Sequence, residues 1–94
     1  MRIRWLLKAV HDLEDLHEYI ALDNPTAASG QVEIILEAVK RLSENMNIGR
    51  PGRVKGTREL VIPKTPYITA YRIKNDAVEI LRVLHGARKW PKRF

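Results

Sequence analysis

From Ala28 to Met46 the apolar side chains recur at steps of four and three: Ala28, Val32, Ile35, Val39, Leu42 and Met46. Only an α-helix returns side chains to one face at that spacing, so the segment is read as a helix with a single buried stripe. Such a stripe demands an apolar surface to pack against, and that demand shapes the rest of the chain. Asn24 can cap the helix and Pro25 suits its first position. Upstream, Val10, Leu13, Leu16, His17 and Ile20 form a second stripe that starts near Lys8. Asp23-Asn24-Pro25 ends this earlier helix, because proline disfavours helical geometry in the residue before it. The short break predicts an antiparallel helical hairpin, with Gly30 at a close approach of the two helices.

Around the hairpin the period is that of a strand. "RIRWLL" at the amino end alternates Arg2 and Arg4 with Ile3 and Trp5. After the Gly/Pro-containing basic loop "NIGRPGRVKGT" come three strand-like runs, "TRELVIP", "YITAYRIKN" and "AVEILRVLH". "PKTP" joins the first two, and "KND" is a tight hairpin signal between the last two. The order β-α-α-β-β-β predicts a two-layer α+β fold: an N-terminal strand, an antiparallel helical hairpin laid on a sheet, and a three-stranded antiparallel meander. Two helices give the first strand room to cross over to a parallel neighbour. Tyr67, Thr69, Tyr71 and Ile73 alternate with Ile68, Ala70, Arg72 and Lys74, and both sets are partly apolar. Either set fits against the helices, so the opposite face is expected to be covered too, by a segment of another molecule.

Ninety-four residues are enough for one modest core, read as a single domain over residues 1–94. There is no cysteine, which excludes disulfides and thiol chemistry. No apolar run is long enough to span a bilayer, and the absence of targeting signals leads to a cytoplasmic expectation with no membrane partner. The net charge of +6 is unevenly spread: residues 1–49 hold five cations against eight anions, residues 50–94 twelve cations against three anions. A surface that attracts an anionic partner follows, either nucleic acid or an acidic protein segment. His11, His17 and His85 have no metal-ligand spacing, "GRPGRVKG" lacks the end of a phosphate-binding loop, and Ser29 and Ser43 have no neighbouring base. No cofactor or metal is expected. What remains is cations interleaved with aromatic rings, above all in the tail "LHGARKWPKRF", which could hold phosphates and stack on bases or grip an acidic protein.

The chain resembles the RelE/ParE superfamily of toxins from bacterial type II toxin–antitoxin modules along nearly its whole length. The resemblance lies in the element order, in "LEDLHEYIALDNPTAA", in "GTRELVIPKTPYITAYRI" and, most specifically, in "VEILRVLHGARKWP", whose ending looks like that of ParE-type members. RelE-type members are ribosome-dependent mRNA endonucleases, whereas ParE-type members are associated with inhibition of DNA gyrase. Where nuclease members place basic residues in the first two meander strands, this chain has Glu59, Val61 and Ile68. The resemblance therefore implies a ParE-like, non-nuclease toxin of the plasmid-stabilising kind, with Arg82, His85, Arg88, Lys89 and Trp90 as target contacts. The alternative is an mRNA interferase using Arg58, Arg72, His85 and Arg88; a third reading is a diverged member that only binds antitoxin. The implied partner is a cognate antitoxin, of ParD ribbon-helix-helix type with an acidic carboxyl-terminal tail, meeting Arg53, Lys55, Ile68, Arg72, Ile80 and Arg82. Operator DNA would be read only through the antitoxin complex.

Overall fold

The computed structural model describes residues 1–94. Strand β1 (Arg2–Trp5) leads into helix α1 (Leu7–Ala21), then α2 (Pro25–Lys40), which tightens into a 3₁₀ turn over Arg41–Ser43. β2 (Arg50–Pro51), β3 (Arg58–Val61), β4 (Tyr67–Lys74) and β5 (Ala77–His85) follow. They form one five-stranded sheet in the order β1-β5-β4-β3-β2. β1 lies parallel to β5, pairing Trp5 with Ile80, and every other pairing is antiparallel. The α+β order expected from the pattern is the order found. The two-residue β2 is an addition, lying inside the segment read as loop.

Local chemistry explains several boundaries. Asn24 Oδ1 accepts from the Ala27 N–H at 3.0 Å, with Pro25 in the first turn behind it. Asn75 and Asp76 both have positive φ, 52° and 57°, the left-handed pair a two-residue hairpin turn requires. α1 begins one residue before the expected Lys8, and α2 ends at Lys40, short of the periodic Met46.

The helices bury their stripes on one face of the sheet. Ala9, Leu16, Ile35, Val39 and Leu42 meet Tyr67, Tyr71, Val78, Ile80 and Val83 in the main core, with Leu13 and Ile20 packed beside them. The buried line of α1 is thus 9–13–16–20. His17 is exposed and Val10 is 36% exposed, because each sits one residue, about 100° of helix, past that line. Gly30 marks no close approach, since a Cβ built there would meet nothing within 4 Å.

The second face is partly covered by the chain's own tail. Ile68, Ala70, Leu81 and Leu84 are all buried yet lie outside the helix-side core. The C-terminal tail folds back across them. The Gly86 N–H donates to the Pro66 carbonyl at 2.8 Å. An atom at the Gly86 Cβ position would stand 3.2 Å from Ile68 Cδ1, and Pro91 and Phe94 share a groove with Leu81. A β-bulge where β4 passes from Ala70 to Tyr71 shifts the register of β5 beneath this tail.

Candidate functional site

The cations that the sequence brings to mind for binding are distributed by the fold into separate arrangements. The first joins the hairpin to the sheet. β1 stops at Trp5, so β5 beyond Ile80 has a free edge, and α1 runs alongside it. Asp12 fills the gap: its Oδ2 accepts from Arg82 Nε at 2.7 Å and from the Val83 N–H at 2.9 Å, and its Oδ1 accepts from Arg82 Nη2 at 3.0 Å. These bonds from Asp12 hold the Arg82 guanidinium firmly in its charged form, above its already high ordinary pKa. Arg82, expected to meet both target and antitoxin, is 18% exposed and occupied within the fold.

A second arrangement crosses the tail-covered face at the β1 side. Glu79, 4% exposed, lies between Arg72, whose Nε donates to it at 2.7 Å, and Arg4 at 3.4 Å. The hydrogen bond from Arg72 is the main reason its carboxyl is held below the usual carboxylate range, against the opposing effect of burial. The third lies at the opposite edge. Glu59, 2% exposed, binds Arg50 at 3.1 Å and the Arg53 N–H at 2.8 Å, and the Arg53 guanidinium stands 4.1 Å from the centroid of Trp90. Trp90 is therefore seated beneath Arg53 at this side of the sheet.

The remaining expected residues fall elsewhere. Arg58 donates to the Gly49 carbonyl at 2.7 Å and the Asn47 carbonyl at 3.1 Å, closing the loop after the 3₁₀ turn. Ile80 is fully buried against the helices and Ile68 is 7% exposed under the tail, so neither is available as an antitoxin contact in this conformation. Lys55 and Lys89 are exposed. His85 and Arg88 come together with Tyr67 and Tyr19 around a shallow groove between α1 and the end of β5. There the Tyr67 and His85 rings meet edge to face at 5.8 Å, and the His85 Nδ1 accepts from the Ala87 N–H at 3.1 Å, fixing the ring at the root of the tail. Burial pushes the Tyr67 hydroxyl pKa up, with a smaller contribution from Tyr19.

Of the five expected target contacts, His85 and Arg88 share one groove, Lys89 is free, and Arg82 and Trp90 are committed to other faces. The four expected nuclease residues do not converge: Arg58 and Arg72 lie on neighbouring strands, Arg58 opposite Tyr71, but each is bound internally, away from His85 and Arg88. Asp12 and Glu59 were missed as organising groups. The partner of Asp12 lies 70 residues away, and those of Glu59 come from the preceding segment, Arg50 and Arg53, where no regular period signals a contact. No three His, Asp or Glu side chains gather in a way that could hold a metal ion, and no helix is long and apolar enough to cross a membrane.

Residues 3–90 match the family model described as ParE toxin of type II toxin–antitoxin system, parDE. The chain is 50% identical over 91 residues to Y4kP of Sinorhizobium fredii, a toxin candidate by name, covering 97% of this chain and 94% of that one. It is 29% identical over 87 residues to toxin RelE2 of Caulobacter vibrioides, covering 93% and 97%. Among solved structures, a chain of the chromosomal ParDE system from P. aeruginosa superposes with a TM-score of 0.82 at 34% identity, over 90% of this chain and 95% of that one. A chain of the RelBE2 toxin–antitoxin complex from Mycobacterium tuberculosis gives 0.55 at 26%, over 89% and 95%. With the family model matched over residues 3–90 and a superposition over 90% of the chain, the chain belongs to the ParE toxin family of type II toxin–antitoxin systems.

Proposed function

We propose that this toxin acts by binding DNA gyrase and stopping supercoiling, that it does not cut RNA, and that a cognate antitoxin neutralises it. One observation carries the reading. The strand arginines of the interferase set are already matched by internal acceptors, Arg72 by Glu79 at 2.7 Å and Arg58 by the Gly49 carbonyl at 2.7 Å. Moving either onto a phosphate would break those bonds and leave a shielded acceptor short of a donor. The closer superposition on the ParDE chain than on the RelBE2 chain points the same way.

The contact surface in this reading is the root and middle of the tail, His85, Arg88 and Lys89. Trp90 anchors it and Arg82 supports the sheet beneath. The antitoxin reading rests on the cationic second half of the chain and on the ParDE and RelBE2 assemblies to which the fold is similar. Its contacts on this chain are Lys55 with the half-exposed Arg53 and Arg72, and its chemistry is a flexible acidic segment that folds on binding. The ParDE likeness supports a ParD-type antitoxin, with operator DNA bound through it.

A second reading, ribosome-dependent RNA cleavage, has in its favour the likeness to toxin RelE2 and the pairing of His85 with Arg88 in one groove. The test is a gyrase supercoiling assay with purified toxin and with Arg88→Ala. Wild type should block supercoiling, and loss of Arg88 should weaken the block roughly thirtyfold, the effect of removing a central contact of about 2 kcal/mol. Supercoiling that proceeds unchanged in excess toxin would reject the gyrase target.

A further inference from the structure

We propose that Glu59 is a positioning residue for the C-terminal tail: it fixes the Arg53 guanidinium against the ring of Trp90 and so sets where Arg88 and Lys89 stand. The functional part of this rests on the reading above that the tail is the surface the target meets.

A carboxylate that is 2% exposed must be matched by donors, and Glu59 divides its two oxygens between two arginines. Oε1 accepts from Arg50 Nε at 3.3 Å and Nη2 at 3.1 Å. Oε2 accepts from the Arg53 backbone N–H at 2.8 Å, and Arg53 Nε stands 3.5 Å from the same atom. Holding both ends of one residue to a single oxygen removes most of the rotamers that a 43% exposed arginine would otherwise sample. The immobilised guanidinium lies 4.1 Å from the centroid of Trp90, where a planar cation is attracted to the ring face.

Trp90 has no other polar tether. Its Nε1 is buried without a hydrogen-bond partner, so the ring is held by packing and by Arg53 alone. The tail is therefore fixed at two points. Gly86 is tied to Pro66 by a 2.8 Å bond at its root, and Trp90 is held by Arg53 at its far end. Arg88 and Lys89 span the interval. The Arg88 N–H also donates to the His85 carbonyl at 3.0 Å, which makes the span a turn. Releasing Trp90 would remove the restraint nearest that turn, leaving only Pro91 and Phe94 beside Leu81 beyond it.

The test uses the full chain carrying Trp5→Phe, which leaves Trp90 as the sole tryptophan. Fluorescence quenching by acrylamide reports access to Trp90, circular dichroism reports the fold, and the inducer dose for growth arrest reports potency. Four substitutions are compared. Glu59→Gln keeps an acceptor for the Arg53 N–H but loses the charge, Arg53→Ala removes the cation, and Arg53→Lys keeps a cation without the planar stack. Arg50→Ala is the control, because Arg50 meets Glu59 but is not the cation over Trp90. Quenching should rise about twofold or more in Arg53→Ala and Glu59→Gln, less in Arg53→Lys and not in Arg50→Ala, with the arrest dose rising up to about fivefold in the first two, as loss of a cation–π contact allows. Unchanged quenching, an equal rise in Arg50→Ala, or a loosened Trp90 with unaltered potency would each overturn the role. Failure of the gyrase target looks different: supercoiling is untouched by wild type, while quenching still decides the role of Glu59.

Discussion

Asp12→Ala should destabilise this protein more than its position on a charged helix suggests. Asp12 takes three hydrogen bonds, two from Arg82 and one from the Val83 N–H, at 2.7, 3.0 and 2.9 Å. Its side chain is 10% exposed and that of Arg82 is 18% exposed, so the pair is mostly shielded from water and salt. Removing one partner of a buried pair costs about 3–5 kcal/mol, and the residual exposure of Arg82 places this case near 3 kcal/mol. For a domain of this size, each kcal/mol moves the thermal midpoint by about 4–8 °C, which gives a fall of roughly 12–24 °C. Asp12→Asn retains an acceptor for Val83 and should lose about half as much. Thermal and urea unfolding of Asp12→Ala, Arg82→Ala and the double substitution measure the coupling, expected at about 2 kcal/mol. A midpoint shift below about 4 °C, or effects that simply add, would show the pair to be a surface decoration and refute the reasoning. The functional consequence is direct: any loss of toxicity in Arg82→Ala should follow the loss of folded protein rather than a missing target contact.

Tyr71→Phe removes a fully buried hydroxyl that accepts from the Gly49 N–H at 2.9 Å and donates to the Met46 carbonyl at 2.8 Å; a loss of about 2 kcal/mol is expected in urea unfolding, with faster amide exchange at Gly49. Gly30→Ala should stabilise α2 by about 1 kcal/mol, read as a higher thermal midpoint, because helix propensity improves and the new methyl meets no atom within 4 Å. Glu79 has its pKa lowered in the fold, chiefly by the hydrogen bond from Arg72, so its stabilising contribution is present above the ordinary carboxylate pKa of about 4.3 and is lost as pH falls through the lowered value. Thermal midpoints followed from pH 6 downward should therefore fall less steeply in Glu79→Gln than in wild type.

The features legible in the sequence are those with local causes. Asn24-Pro25 announced the start of α2, "KND" announced a turn whose two central residues have positive φ, and the alternation of β4 and β5 announced paired strands. The stripe of α1 was read one residue off because Ala9 is too small to look like a core position, while His17 and Val10 sit beside the true line. The candidate site was less legible. Arg82 looked like a free cation because its partner, Asp12, is 70 residues away on a helix whose other acidic groups face solvent. The sheet's second face looked open because nothing in a basic, aromatic tail says which way it turns; the bond from Gly86 to Pro66 and the seat of Trp90 under Arg53 decide that in three dimensions. Charge composition correctly marked the second half of the chain as cationic. It could not tell cations offered to a partner from those spent on Glu59, Glu79 and Asp12.

The most direct measurement is a map of mRNA ends in a translating extract that contains purified toxin at the concentrations used in the supercoiling assay. With Arg58 and Arg72 held by internal acceptors, the messages should remain full length. Cuts phased with codons in the ribosomal A site, absent when Arg88→Ala replaces wild type, would contradict the account.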